Sequence, residues 1–167
     1  RDRLRSRGLG DVYKRQNQNI DNHTVTQVDL ARYMGTWYEI ARYDHYFERG
    51  MTLVTATYAF KPNGKIMVLN EGYKNGKHKQ VIGKAYLPQA NDPGKLKVSF
   101  FLWFYSDYYI LELDPDYRYA VIGSSSEKYL WILSRTKTLP DSLNAEILQR
   151  LEKRGYDTGK LIFVKQE

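Results

Sequence analysis

Turn sequences divide this chain into short segments of similar length. Pro62-Asn63-Gly64 and Lys74-Asn75-Gly76 are hairpin signals, because Asn-Gly adopts the positive φ angles that a type I′ turn requires. Two more reversals are marked by Asn91-Asp92-Pro93-Gly94 and Asp114-Pro115-Asp116. The chain also holds 15 tyrosines, which suit strands better than a helical bundle. The pattern predicts an all-β fold.

Eight antiparallel strands are predicted, at residues 36–46, 51–61, 65–74, 77–87, 95–102, 107–113, 117–124 and 127–135. Eight strands joined by short turns fit an up-and-down barrel, a size that holds one small ligand. Leu143, Ile147 and Leu151 then recur at helical spacing and predict one C-terminal α-helix packed outside the barrel. The apolar segment 160–164 predicts a short ninth strand that returns to the sheet.

Composition agrees with one domain and excludes several classes of site. A chain of 167 residues, 42% of them hydrophobic, can bury a single core. The absence of cysteine excludes a disulfide, a thiolate nucleophile and a zinc–thiolate site. The three histidines, at 23, 45 and 78, lack metal-ligand spacing. No apolar run approaches the roughly 20 residues of a membrane-spanning helix.

The net charge of +7 is concentrated at the N-terminus, since residues 1–16 hold six basic and two acidic side chains. The rest of the chain is therefore only mildly basic, and we expect no nucleic-acid partner. We expect residues 1–27 to be a disordered or non-native segment and residues 28–167 to form the domain. Residues 1–16 offer no apolar face and are expected to contribute nothing to folding.

Gly35, Trp37 and Arg135 indicate which two strands meet. A tryptophan at the base of a barrel needs a cover for its ring, and a guanidinium from the last strand can stack there while donating to nearby carbonyls. Gly35 lets the backbone turn sharply into the first strand. By themselves these residues are also compatible with an ordinary core tryptophan on any strand.

Six segments carry a family resemblance, in this order: Gly35 to Arg42, Asp44 to Gly50, Val54 to Tyr58, Gly83 to Ala85, Leu96 to Phe101 and Tyr129 to Thr136. They resemble the bacterial outer-membrane lipocalins, relatives of apolipoprotein D, from about Val28 to Val164. Lipocalins share three short blocks, which are placed here at Gly35 and Trp37, at Asp116 and Tyr117, and at Arg135. Pro115 departs from the second block, where many members carry threonine.

The resemblance implies a barrel that binds and transports or stores a hydrophobic or amphiphilic ligand, a fatty acid or lysophospholipid, without a cofactor. It also implies a place in the cell envelope, at the outer membrane facing the periplasm. Family members usually carry a lipid-modified cysteine after a signal peptide. This chain has no cysteine, so a membrane anchor is implied by the resemblance alone. The oligomeric state is left open between monomer and homodimer.

Strand alternation, with Trp37 and Arg135 pointing inward, predicts the lining of the barrel. Small residues alternate with aromatic ones on this face, which leaves room that a core of leucine and isoleucine would fill. The predicted ligand-binding residues are Glu39, Ala41, Tyr43, Val54, Ala56, Tyr58, Val68, Asn70, Gly83, Ala85, Val98, Phe100, Tyr129 and Trp131. Glu39 and Asn70 are the polar members, and a structural pair with Arg135 or a neighbouring tyrosine is the alternative role for Glu39.

Three alternatives stay open at this point. The barrel interior is either a cavity or a packed core, and parity alone does not decide between them. A lipocalin-superfamily enzyme acting on a lipid-like substrate is the alternative to a binding protein, although no catalytic motif supports it. The aromatic loop 101–105 is a lipid-contacting lip, a lid or a dimer interface, and it departs from the family by carrying Leu102 and Trp103 where Gly-Pro is usual.

Overall fold

The computed structural model describes residues 20–101 and 104–167, with the backbone alone at Phe101 and Phe104. The elements in this part of the chain are, in order, α1 (Leu30–Tyr33), β1 (Gly35–Tyr43), β2 (Thr52–Phe60), β3 (Ile66–Lys74), β4 (Lys77–Tyr86), β5 (Lys95–Phe101), β6 (Phe104–Leu113), β7 (Tyr119–Gly123), β8 (Trp131–Ser134), α2 (Asp141–Lys153), a 3-10 turn (Thr158–Lys160) and β9 (Leu161–Phe163). The predicted strands are all present, and the last two of the eight are shorter than predicted. The four-residue helix α1 was not predicted.

Eight of the strands form a closed antiparallel barrel. Each strand from β2 to β7 pairs with the next one, and β1 pairs with both β8 and β2. At the closure, Trp37 on β1 lies opposite Ala56 on β2. Closure leaves no open sheet edge around the ring of eight strands, which satisfies their backbone groups. The predicted up-and-down barrel is confirmed.

The helix α2 and the strand β9 pack outside this barrel, as predicted. Ile147 and Leu151 on α2 are fully buried against Val121 and Ile132 on the barrel wall. Their spacing of four residues puts both side chains on one face of the helix. The strand β9 pairs antiparallel with the end of β1, from Ala41 to Tyr43. A second apolar core therefore lies between the helix and the outer wall.

The stacking predicted between the first and last barrel strands closes one end of the barrel. Trp37 is fully buried, and its Nε1 donates to the carbonyl of Tyr33 on α1 at 2.9 Å. The Arg135 guanidinium lies over the indole, with its central carbon 3.8 Å from the ring centroid. This end, with α1 across it, forms the floor of the barrel.

Arg135 also ties the floor together through its hydrogen bonds. Its guanidinium donates to the carbonyls of Arg32 at 2.7 Å, Met34 at 2.9 Å and Thr36 at 3.1 Å. Gly35 lies between them with φ at +103°, and a Cβ there would stand 3.2 Å from Arg135 Nη1. The glycine is needed both for this backbone conformation and for the close approach of the arginine.

The second family block joins the same floor through Tyr117, not through Asp116. Tyr117 has φ at +58°, its hydroxyl accepts from the Asp29 amide at 2.8 Å, and its carbonyl accepts from Arg135 at 3.3 Å. Asp116 is exposed. The buried acid of this turn is Asp114, and the hydrogen bond from the Arg118 guanidinium lowers the pKa of that carboxyl. The turn at Asp114-Pro115-Asp116 was predicted, but the burial of Asp114 and its bond with Arg118 were not.

Three residues that precede position 28, Asp21, His23 and Val25, hydrogen-bond to the barrel and to the end of α2. The Asp21 amide donates to the Arg154 carbonyl at 2.7 Å, and the Val25 amide donates to the Ile110 carbonyl at 3.0 Å. The Arg154 guanidinium returns two bonds, to the carbonyls of Asp21 and His23. The expectation about residues 1–16 lies outside the described residues.

Candidate functional site

The inside of the barrel is lined mainly by apolar side chains from the floor to mid-height. Tyr58 and Val68 are buried there beside Ile66, Leu96 and Ile110. The predicted lining residues that lie in this interior cluster are Ala56, Tyr58, Val68, Ala85, Val98, Phe100 and Trp131. Alternation along β2, β3 and β5 was therefore a sound guide to the inner face.

Ala41 and Tyr43 do not line the interior, and their predicted inward orientation is wrong. Pairing between β1 and β8 shifts register between Glu39 and Ala41, where Ile40 forms a bulge. An extra residue reverses the alternation beyond it. Ala41 and Tyr43 consequently pack in the outer core beneath α2. Arg42, which simple parity placed outside, turns inward and bonds Glu39.

Three other predicted lining residues, Val54, Asn70 and Gly83, have different surroundings. Val54 is buried, with Cγ2 lying 3.0 Å from where a Cβ on Gly72 would stand. Asn70 pairs with Ala56 and so lies on the inner face at mid-height. At Gly83 a Cβ would stand 2.5 Å from the Phe100 ring, so glycine lets that ring cross β4. Phe100 occupies the space that the absent side chain leaves.

Tyr129 lies at the rim of the open end. It is 36% exposed, precedes β8, and stacks on His45 with ring centroids 4.5 Å apart. It also stacks on Trp131, with ring centroids 6.1 Å apart. His45 donates from Nε2 to the Lys128 carbonyl at 2.8 Å and stacks on Phe47 at 5.5 Å. These contacts give His45 a structural role that joins two loops of the open end.

Three tyrosine hydroxyls form a short chain at the floor. Tyr108 bonds Tyr33 at 2.6 Å and Tyr58 at 2.8 Å. Burial away from water raises the pKa of all three phenols, so they are neutral at physiological pH. A void of about 10 Å³ lies among these rings and four aliphatic side chains. That volume is close to the minimum for one water molecule.

The mouth of the barrel holds a polar network centred on Arg42. This side chain is 1% exposed, and its Nη1 donates to Glu39 Oε2 at 2.9 Å. It also donates to the carbonyl of Glu48 at 2.8 Å and to that of Met51 at 3.4 Å. Residues 44–51 join β1 to β2, and Arg42 thus fixes this loop over the opening.

Glu48 points from that loop into the barrel. Its Oε1 accepts from Trp131 Nε1 at 3.0 Å, and its carboxyl lies within hydrogen-bonding reach of Glu39. Burial and the neighbouring Glu48 carboxyl raise the pKa of Glu39 well above its ordinary range. The raised pKa favours the protonated form of Glu39, which lowers the cost of burying this carboxyl beside Glu48. Glu39 was predicted as a polar lining residue, whereas Arg42 and Glu48 were missed.

We expect Glu39→Gln to change how stability depends on pH. An acid with a raised folded pKa favours folding at low pH, and that contribution is lost as pH rises from about 4.3, the ordinary glutamate value, towards the folded pKa. The free energy of unfolding of the wild type, relative to Glu39→Gln, should therefore fall between mildly acid and neutral pH. Urea denaturation of both proteins across this range measures the difference.

Glu48→Gln is the matched control for that experiment. Removing the neighbouring charge should lower the pKa of Glu39 and shrink the pH-dependent fall. A difference between wild type and Glu39→Gln that stays constant across the same range would show that Glu39 ionises normally. Asp114 does not interfere, because its lowered pKa places its effect at more acid pH.

None of the helices in the described part of the chain is long and apolar enough to cross a bilayer. Within residues 20–101 and 104–167, no three acidic, histidine or cysteine side chains come together as metal ligands would.

The chain is similar to known proteins in both sequence and structure. The profile of the Lipocalin-like domain family matches residues 28–166. Outer membrane lipoprotein Blc of Escherichia coli K12 is 46% identical over 144 residues, covering 85% of this chain and 81% of that protein. Apolipoprotein D of Macaca fascicularis is 34% identical over 149 residues, covering 83% of this chain and 77% of that protein.

Solved structures give the same result. Insecticyanin of the tobacco hornworm Manduca sexta superposes with a TM-score of 0.70 at 25% identity, covering 87% of this chain and 84% of that chain. The family match spans the whole barrel together with α2 and β9, and the three sequence blocks meet at its floor. The chain belongs to the lipocalin family, whose members bind hydrophobic ligands.

Proposed function

We propose that this protein binds a hydrophobic or amphiphilic molecule, a fatty acid or lysophospholipid, inside its barrel and carries or stores it without chemical change. The observation that carries this proposal is the polarity along the barrel axis. Trp37 closes an apolar interior at one end, and Glu39, Arg42 and Glu48 form a polar network at the other. An amphiphile has the same division, with a chain to bury and a head that stays near water.

Burial of the acyl chain supplies the binding energy. Each square ångström of apolar surface removed from water contributes about 25 cal/mol, so a medium-length chain gains several kcal/mol before ordering costs. The floor void of about 10 Å³ is far too small for such a chain. An acyl chain that reaches the floor must therefore displace side chains there. Phe100, which is partly buried and lies across Gly83, is the side chain we expect to move.

The mouth network favours a lysophospholipid over a free fatty acid. Arg42 is already committed to Glu39 and to two loop carbonyls, so it offers little to a ligand carboxylate. The Glu39 and Glu48 oxygens, by contrast, are acceptors for a glycerol hydroxyl. A fatty-acid carboxylate placed beside them would meet like charge.

The location is proposed from the relatives. The Escherichia coli relative is named an outer membrane lipoprotein, which supports a place at the outer membrane facing the periplasm. Membrane association through a lipid anchor is part of the same proposal. Monomer and homodimer are both compatible with it.

Trp131 fluorescence tests ligand binding directly. Trp131 stands at the mouth, bonded to Glu48, so a lysophospholipid that enters should change its emission saturably below the micelle concentration. Trp131→Phe should remove most of this change, because Trp37 is sealed in the floor. Trp103 is the remaining tryptophan and lies outside the described residues. Native mass spectrometry should count one lipid per barrel.

A pair of matched variants separates the interior from the surface. Ala56→Phe fills the inner face of β2, whereas Ala59→Phe places the same ring on the outer face of that strand. We expect the first to abolish lipid binding and the second to preserve it. Equal binding by both variants, or no binding by the wild type, would favour a packed barrel. Release of a chemically altered lipid would favour an enzyme.

A further inference from the structure

We propose that the open end of the barrel docks directly on an anionic phospholipid bilayer through a rim of lysines and exposed aromatic rings. We define this rim as the tip of the β3–β4 hairpin, residues 73–79, together with the loop 44–51. The proposal concerns the outer surface, and it requires neither a lipid anchor nor a ligand in the barrel.

The hairpin contributes the charge. Lys74 pairs with Lys77 across its tip, and Lys79 pairs with Gly72 on the same face. This face continues the inner surface of β3 and β4 beyond the barrel wall, so the three lysines stand beside the mouth. All of residues 73–80 are exposed. The ammonium groups are therefore available to a surface placed across the opening.

The loop 44–51 contributes apolar rings next to this charge. Tyr46 is 82% exposed and Phe47 is 54% exposed, with their ring centroids 5.9 Å apart. The Lys74 side chain reaches the loop, with Cε lying 3.7 Å from where a Cβ on Gly50 would stand. Basic and aromatic groups thus form one continuous surface. Aromatic rings favour the headgroup region of a bilayer.

The acidic side chains of the rim either point away from this surface or form ion pairs within it. Asp44 is bonded by Arg42 and Arg49, and Glu48 turns inward to Trp131. Glu71 is bonded by His78 at 3.0 Å. Glu127 stands on the neighbouring β7–β8 loop beside Lys128. Three lysines at the hairpin tip therefore face outward past the mouth. Their positive charge is complementary to an anionic membrane, which we take as the partner.

Vesicle co-sedimentation of the full chain tests the proposal. We expect binding to vesicles of equimolar phosphatidylcholine and phosphatidylglycerol, weak binding to pure phosphatidylcholine, and loss of binding at high salt. Changing Lys74, Lys77 and Lys79 together to Gln should weaken binding about 100-fold, since each basic residue near an anionic surface contributes about fivefold. Tyr46→Ser with Phe47→Ser should weaken it about tenfold.

Two controls isolate the rim. Changing Lys61, Lys65 and Lys137 together to Gln removes the same charge from the closed end, and it should leave binding unchanged. The basic residues 1–16 also attract anionic lipid, so a chain with those six side chains changed to Gln must still lose binding when the rim lysines are removed. Melting temperatures should match across all variants.

Equal losses in the rim and closed-end triple variants would overturn the proposal, because net charge alone would then explain binding. Loss of monomeric lysophospholipid binding with unchanged vesicle binding would also overturn it, by assigning the lysines to the ligand head. Rim variants that lose vesicle binding while keeping the Trp131 response would support it. The Trp131 response also separates this proposal from the proposed ligand binding, since either can fail alone.

Discussion

Trp37→Ala should lower the free energy of unfolding by about 3–5 kcal/mol, the range for a large aromatic side chain lost from a core. The indole is fully buried, and it holds both the Tyr33 carbonyl and the Arg135 guanidinium. Arg135→Ala should cost about 2–3 kcal/mol, because floor carbonyls lose their donor. Urea denaturation followed by circular dichroism measures both changes.

The double variant tests whether these two residues act as one unit. With a guanidinium 3.8 Å from the ring centroid, the two losses should fall short of adding by about 1 kcal/mol or more. Arg135→Lys is the control, since it keeps the charge but lacks the planar fork that reaches several carbonyls. Simple addition of the two single losses would show that the stacking contributes nothing to closure of the floor.

Arg42→Met should be the most damaging change at the mouth, with a loss of about 3–5 kcal/mol at neutral pH. The variant keeps most of the volume but leaves the Glu39 carboxyl buried without its guanidinium. It also releases the Glu48 and Met51 carbonyls that fix the loop. The loss should be smaller at acid pH, because Glu39 then holds its proton in both proteins.

Arg49→Met is the matched control, since this arginine bonds Asp44 from the same loop but is 65% exposed. Exposed ion pairs contribute about 0–1 kcal/mol, so this variant should be nearly neutral. Adding Glu39→Gln to Arg42→Met should recover part of the stability. A loss at Arg42 no larger than that at Arg49, or no recovery in the double variant, would show that the buried pair is not what holds the mouth.

The barrel was predictable because its signals are local. Asn63-Gly64 and Asn75-Gly76 mark turns whose glycines have φ at +83° and +75°, and the strands between them follow. Spacing on α2 likewise identified Ile147 and Leu151 as the buried face. The stack of Arg135 on Trp37 was predictable through the family blocks, since no local rule connects residues so far apart.

The mouth was not predictable, because it depends on irregularities that alternation does not register. Parity placed Tyr43 inside and Arg42 outside, and the bulge at Ile40 exchanged them. Glu48 lies in a loop, where no periodicity applies, and only the folded chain brings it to Trp131. A buried arginine is also uncommon, so the residue type of Arg42 gives no hint of an inward position.

The bulge at Ile40 has a consequence for how this protein can change through mutation. Before the bulge, the odd-numbered residues Trp37 and Glu39 face the barrel interior. After it, the odd-numbered residues Ala41 and Tyr43 pack in the outer core beneath α2. Substitutions of inward and outward residues of β1 thus affect different neighbours. Ligand preference can therefore change through mutation without weakening the packing of α2 on the barrel. Loss of the Ile40 codon would remove the extra residue, and Glu39, Ala41 and Arg42 would then alternate regularly along one strand. The two faces would keep their residues, with Arg42 still at the mouth.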